Sequence, residues 1–303
     1  MGKFYREYAD YLAERFTGKV QKLTVNASFT CPNRDGTRGR GGCTYCNNAT
    51  FSPQFESGRR SVTAQIEDGK RFFARKYPQM RYLAYFQSYT NTHSADIGYL
   101  EGLYREALAA PDVVGLIIGT RPDCLPQELL RRLASINSGD KRVIIELGAE
   151  SSHDESLKRV NRCHTWAETV DAVNRVHDAG IDVGIHLIMG LPDEDTDMML
   201  STVDAVGTLP VDTVKFHQLQ VVKGTVMARE YTEGCFSGTL FTPEEYLDLC
   251  GKIIERLPRR IAIERFVSQS PADLLIAPKW GLKNYEFVNL LHRRLQERSG
   301  VKA

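Results

Sequence analysis

The sequence predicts an α/β fold class built on a parallel sheet, and three observations carry that prediction. Short apolar runs rich in β-branched residues recur at Val20–Val25, Tyr82–Phe86, Val113–Ile118, Arg142–Leu147, Ile181–Met189 and Thr213–Leu219. From the second run onward their starts lie 31, 29, 39 and 32 residues apart, the repeat of a strand–helix–strand unit. The runs are also nearly continuous in apolar residues rather than alternating, as strands covered on both faces must be.

The segments between the runs read as helices with recognisable ends. Residues 1–18 form a helical lead-in ahead of the first strand. Ser61 precedes Val62, Ile66, Phe72 and Phe73, and Pro126 opens Gln127–Ile136. Thr165 with Glu168, and Thr242 with Glu245, match the capping box, in which hydroxyl and carboxylate satisfy free amide donors reciprocally. Gly180 stops the 165–179 helix, and Gly234–Gly238 reads as a loop. Six units of this kind can close into a barrel or lie open as a doubly wound sheet; periodicity does not choose. The division expected is a core over 1–240, with a cysteine-bearing loop at 28–50, and a helical C-terminal extension over 241–303.

Composition narrows the function. Hydrophobic residues at 42% and charged residues at 25% describe a globular chain. With 39 Lys plus Arg against 38 Asp plus Glu, the net charge of +1 excludes global attraction to nucleic acid, though not a local basic patch. Charges at Lys3, Arg6, Glu7 and Asp10 interrupt any apolar leader, and no apolar run approaches the ~20 residues of a spanning helix. No membrane association is expected, and the location expected is cytoplasmic. Seven cysteines without a secretory signal point to metal or redox chemistry rather than a disulfide framework.

Polar residues follow each strand in turn: a cysteine loop, Ser88–His93, Thr120–Asp123, Glu150–Ser152, Gly190–Glu194 and Gln220–Thr225. In a parallel barrel these loops share the ligand-binding face. The cysteine loop, Cys31-Pro-Asn-Arg-Asp-Gly-Thr-Arg-Gly-Arg-Gly-Gly-Cys43-Thr-Tyr-Cys46, spaces three thiols at eleven and two residues, with four glycines that let the backbone wrap tightly. Thiolates suit iron–sulfur clusters and zinc. Three ligands without a nearby fourth cysteine leave one metal position open, as catalytic sites do. The competing reading is a zinc knuckle closed by Cys124 or His93, giving a non-catalytic RNA-binding module. Cys250, in the apolar-striped segment Tyr246–Ile254, reads as a core residue.

These features together resemble the radical S-adenosylmethionine (radical SAM) enzymes, in particular the small YhcC-like group related to the catalytic subunit of Elongator. The resemblance spans nearly the whole chain: Cys31–Gly36, Tyr45, Tyr89-Thr-Asn-Thr92, Thr120-Arg-Pro-Asp123, Glu146-Leu-Gly148, Asn161-Arg162, His186-Leu-Ile-Met-Gly-Leu-Pro192, Val222-Lys-Gly-Thr225 and Ala277-Pro-Lys-Trp-Gly281. The acetyltransferase domain of that subunit is not expected in 303 residues. The resemblance implies a partial (β/α)6 TIM-like barrel, with Cys31, Cys43 and Cys46 holding a [4Fe–4S] cluster whose open iron binds SAM. Cleavage of SAM would supply a 5′-deoxyadenosyl radical that abstracts a substrate hydrogen.

Carried over residue by residue, Tyr45 would pack on adenine, and Tyr89, Thr90 and Asn91 would meet the methionine amino group. Thr120 and Glu150 would be polar contacts, and Arg162 would pair with the SAM carboxylate, for which a guanidinium is suited. His186 would face the ribose, and Leu219 and Val221 would border adenine. Two positions depart from relatives: Glu150 stands where Gln is common, and Cys163 where Gly is. The kinship implies tRNA as substrate, at C5 of a wobble uridine or a substituent there, with flavodoxin or ferredoxin as electron donor. Arg38 and Arg40 in the cysteine loop are candidate RNA contacts. Further basic groups lie at Arg59, Arg60, Lys70, Arg71, Arg75, Lys76, Arg256, Arg259, Arg260, Arg293 and Arg294, and Trp280 or Tyr285 could stack a base. The alternative substrate is a small metabolite, which near-zero net charge would suit.

Overall fold

The computed structural model describes residues 3–50, 60–74, 79–94 and 96–298. Helix α1 (Tyr8–Arg15) leads into β1 (Val20–Val25), after which strands and helices alternate: α2 (Val62–Ala74), β2 (Arg81–Phe86), α3 (Ile97–Ala109), β3 (Val113–Thr120), α4 (Gln127–Ile136) and β4 (Arg142–Glu150). Then come α5 (Asp154–Arg159), α6 (Trp166–Asp178), β5 (Asp182–Met189), α7 (Thr196–Thr208) and β6 (Thr213–Gln218). The remaining elements are β7 (Val221–Val222), α8 (Val226–Glu233), α9 (Pro243–Arg256), β8 (Ala262–Arg265), β9 (Leu275–Ala277) and α10 (Asn284–Arg298).

The main sheet is parallel throughout, in the order β1-β2-β3-β4-β5-β6-β8, and curls into a partial TIM-like barrel. It has one strand more than the six read from the sequence. The seventh, β8, lies in the C-terminal extension, where only four residues, two of them charged, conceal it. A second, two-stranded sheet pairs β7 with β9 antiparallel.

Both capping boxes form, at Thr165 with Glu168 and at Thr242 with Glu245. Ser61 Oγ accepts from the Ala64 amide at the start of α2. Side chains alternate across the sheet as a two-residue period demands. Leu23, Ala84, Ile118, Ile145, Ile185, Phe216 and Ile263 face the helices and form the main core. A smaller apolar cluster, including Tyr11, Phe16, Leu83, Ile117 and Ile144, packs α1 against the sheet. The opposite end, where the strands finish, stays open. Cys250 is fully buried in α9, as expected of a core residue.

Candidate active site

The strand ends and the cysteine loop enclose one cavity of about 700 Å³. Cys31, Cys43 and Cys46 all line it, together with Tyr45, Tyr89, Thr90, Thr120, Glu150, Arg162, His186 and Leu219. Two expected contacts do not. Asn91 is wholly buried, its amide nitrogen donating to the carbonyls of Phe86 and Gly119 at 3.0 and 2.8 Å, so it ties the ends of β2 and β3 together. Val221 is buried outside the lining, where Val222 takes its place.

Arg162 is the organising side chain. Its Nη2 lies 3.2 Å from Glu150 Oε1 and 2.5 Å from the Gly148 carbonyl, Nε donates to His164 Nε2 at 3.0 Å, and Nη1 lies 3.6 Å from Cys43 Sγ. A Cβ on Gly148 would stand 2.5 Å from Arg162 Nη2 and 2.7 Å from Glu150 Oε1, so only glycine lets this pair cross β4. Burial and the neighbouring Arg162 and Arg121 push His164 down to about 3, keeping it a neutral acceptor. Glu150, the departure noted in the sequence, is thus a buried partner of Arg162 rather than a loop charge. Cys163 Sγ donates to Asn33 Oδ1 at 3.0 Å, and Asn33 in turn reaches Cys43 Sγ at 3.5 Å. Arg34 Nη2 donates to the Cys46 carbonyl at 2.9 Å.

The donor set fits an iron–sulfur cluster better than zinc. A cubane spreads its thiolates over separate irons, for which three thiols on one cavity wall suffice. The two residues proposed to close a zinc knuckle are engaged elsewhere. His93 Nε2 bonds Asp35 Oδ2 at 2.8 Å, and the Cys124 thiol donates to Asp123 Oδ1 at 3.7 Å.

Beneath these residues lies a charged network that the sequence reading missed. Glu146 Oε1 lies 3.0 Å from Lys22 Nζ, and Oε2 lies 2.9 Å from Lys215 Nζ. Oε2 also accepts from Tyr85 OH at 2.6 Å and from His186 Nε2 at 2.8 Å. Glu264 joins both lysines, at 2.6 and 3.0 Å, bridging the first and last strands of the sheet. The two lysines hold Glu146 well below the usual carboxylate range despite its burial. His186, expected to face a ribose, is therefore already committed through Nε2 to Glu146, and burial and Lys215 hold its pKa down. The visible signal was a charged residue inside four of the seven strands: Lys22, Glu146, Lys215 and Glu264.

The basic groups are mostly engaged. Arg38 lies 3.6 Å from Asp123 Oδ2 and 3.2 Å from Glu168 Oε1, whereas Arg40 is exposed without an ion pair among the described residues. Arg60 and Arg71 pair with Asp68, Lys70 with Glu67, Arg256 with Asp204 and Arg294 with Asp248. Arg260 donates to the carbonyls of Gly207, Leu209 and Val211. Arg59, Arg75 and Lys76 lie outside the described residues. Trp280 donates to the Phe241 carbonyl and stacks on Phe287, so it is not free to hold a base; Tyr285 is exposed.

A parallel half-barrel with three thiols and a buried arginine gathered at its C-terminal rim defines an enzyme scaffold for an iron–sulfur cofactor with an open coordination position. Residues 30–206 match the model of the radical SAM superfamily, and residues 211–297 that of the Radical_SAM C-terminal domain. The chain belongs to the radical SAM superfamily, and its cofactors are a [4Fe–4S] cluster and S-adenosylmethionine. It is 36% identical over 295 residues to Protein YhcC of Escherichia coli (strain K12), covering 97% of this chain and 93% of that protein. Over 188 residues it is 26% identical to the tRNA uridine(34) acetyltransferase of Methanocaldococcus infernus, covering 61% of this chain and 34% of the relative. The solved structure of the archaeal Methanocaldococcus infernus Elp3 shares the fold, with a TM-score of 0.66 at 19% identity, over 94% of this chain and 64% of that one. No described helix is long and apolar enough to cross a membrane.

Proposed function

We propose that this chain is a cytoplasmic radical SAM enzyme that modifies tRNA at C5 of a wobble uridine or at a substituent there. The observation that carries the reading is the single cavity shared by Cys31, Cys43, Cys46 and Arg162. In it, the three thiolates hold the cluster, and Arg162, already aligned by Gly148 and His164, receives the carboxylate of SAM. Tyr45 packs against the apolar cluster that includes Leu219 and Ile188, on the adenine side. Thr90, Thr120 and the Tyr89 backbone border the methionine end, while Asn91 fixes that loop from behind. When bound, the cluster and SAM supply a 5′-deoxyadenosyl radical; the chain's own work is to bind, orient and exclude water.

The tRNA reading draws support from likeness to a tRNA uridine(34) acetyltransferase and from the exposed Arg40 within the cysteine loop. The core over 1–240 would carry the chemistry and the segment 241–303 would extend the sheet with β8 at its edge. Flavodoxin or ferredoxin would deliver the electron. Nucleoside mass spectrometry of total tRNA from cells with and without the gene tests the proposal. A modified uridine that disappears with the gene and returns with the wild-type copy supports it; identical nucleoside profiles would leave a small metabolite as the substrate.

A further inference from the structure

The residues assigned to the cofactors account for the upper part of the cavity. The wall formed by the ends of β6 and β8 and the loop that follows has no role there. Gln218 and Gln220 pin this loop, receiving and donating hydrogen bonds at the Ser268 backbone and at Ser270 Oγ. On the pinned wall stand His217 and Arg265, both lining the cavity. Arg265 Nη2 donates to His217 Nδ1 at 3.2 Å, and Ser268 Oγ lies 2.6 Å from the same nitrogen. A guanidinium can only donate, so Nδ1 is the acceptor and the imidazole proton resides on Nε2. Burial and Arg265 hold His217 neutral. Two donors, His217 Nε2–H and Arg265 Nε–H, are then left buried without a partner among the described residues.

The charge count at this end is also incomplete. Lys22 and Lys215 are matched by Glu146 and Glu264. Arg265 makes no ion pair among the described residues, and His186 and His217 add no charge. One positive charge is left over, together with two unfilled donors. Unpaired buried donors are costly, and a ligand that supplies the missing acceptors, and a counter-charge for the half-buried Arg265, removes the cost.

We infer that Arg265 and His217 form a binding site for a single carboxylate carried by the substrate. A carboxylate offers one negative charge and two acceptor oxygens, which matches one surplus cation and two free donors. A phosphate dianion would add a second charge close to Glu146 and Glu264. The inference rests on reading this cavity as the active site, and it names the group that the substrate presents to this wall. That group belongs to a carboxylated tRNA base or to a small organic acid.

Calorimetry on holoprotein, reconstituted with cluster and SAM, separates these sources with two pairs of probes. One pair is 5-carboxyuridine and its neutral analogue 5-carbamoyluridine; the other is succinate and succinamide. A preference of tenfold or more for the acid in either pair, lost in Arg265→Gln and partly kept in Arg265→Lys, supports the site. The nucleoside pair then assigns the carboxylate to a base, and the succinate pair to a small acid. Equal binding of acid and amide, no binding of either acid, or a preference that survives Arg265→Gln overturns it. Thermal unfolding shows whether each variant is folded. Substrate-free formation of 5′-deoxyadenosine on the same samples keeps the outcomes distinct: SAM cleavage without acid preference removes only the carboxylate site, whereas absent cleavage counts against the radical reading.

Discussion

Glu146→Gln removes one negative charge from the interior while keeping side-chain size. The amide still reaches Tyr85 and His186, but Lys22 and Lys215 are left to share Glu264 alone. Breaking a buried ion pair by neutralising one partner costs about 3–5 kcal/mol, because an uncompensated charge stays buried. At ~2.1 cal/mol/K per residue, unfolding 303 residues carries an entropy of ~0.6 kcal/mol/K, so the melting temperature should fall by about 5–8 °C at pH 7. The pH dependence supplies a second signature. Glu146 titrates below its ordinary value of 4.5 in the folded chain, so its stabilisation is complete above that value and is lost as pH falls towards the folded pKa. Wild type should therefore lose stability more steeply than the variant below about pH 5. At the alkaline end, Lys215 already has a lowered pKa and can shed its proton in the variant, so the deficit should shrink as pH rises. Calorimetric melts of both proteins in the same loading state, from pH 4 to 9, measure all three effects. A fall of less than ~2 °C at pH 7, with parallel pH profiles, would show that the network is not worth what its geometry implies.

Arg162→Ala should weaken SAM binding by about 1.5–3 kcal/mol, the scale of a charge-assisted hydrogen bond, while the cluster's iron content is unchanged; equal affinity by calorimetry would show that Arg162 does not meet the carboxylate. Gly148→Ala should produce a similar loss without touching SAM, because its Cβ displaces the guanidinium; a wild-type affinity would refute that steric argument. Alanine at Cys31, Cys43 or Cys46 should abolish iron loading, whereas Cys250→Ala should retain it, as read by iron and labile-sulfide analysis. Arg40→Glu should lower tRNA affinity and flatten its salt dependence more than Arg38→Glu, whose parent side chain is already paired with Asp123 and Glu168. Equal salt slopes in gel-shift titrations would remove the cluster loop from the RNA contact.

The alternation of strands and helices was legible because each apolar run and each cap acts locally. Thr165 with Glu168 marks a helix start whatever the rest of the chain does. The three thiols were equally legible, since ligand spacing within one loop survives without knowledge of the fold. What stayed hidden depends on pairing across the barrel. The strand Ala262–Arg265 is too short to announce itself, and its Glu264 acquires meaning only once β8 lies beside β6 and meets Lys22 from β1. Asn91 sits one residue from a cavity-lining threonine, yet the turn at Tyr89, with φ of +60°, carries its side chain into the β2–β3 junction. Arg38 and Trp280 likewise read as free groups in sequence and are engaged in space.

One measurement tests the three-thiolate cluster and its open iron most directly: 5′-deoxyadenosine released when anaerobically reconstituted protein is reduced in the presence of SAM, with iron and sulfide determined on the same sample. A brown protein carrying about four irons per chain, which forms 5′-deoxyadenosine in wild type and none in Cys43→Ala, is the result expected of a cluster held by three thiolates. Stoichiometric zinc without labile sulfide, or an intact cluster that leaves SAM uncleaved, would contradict it.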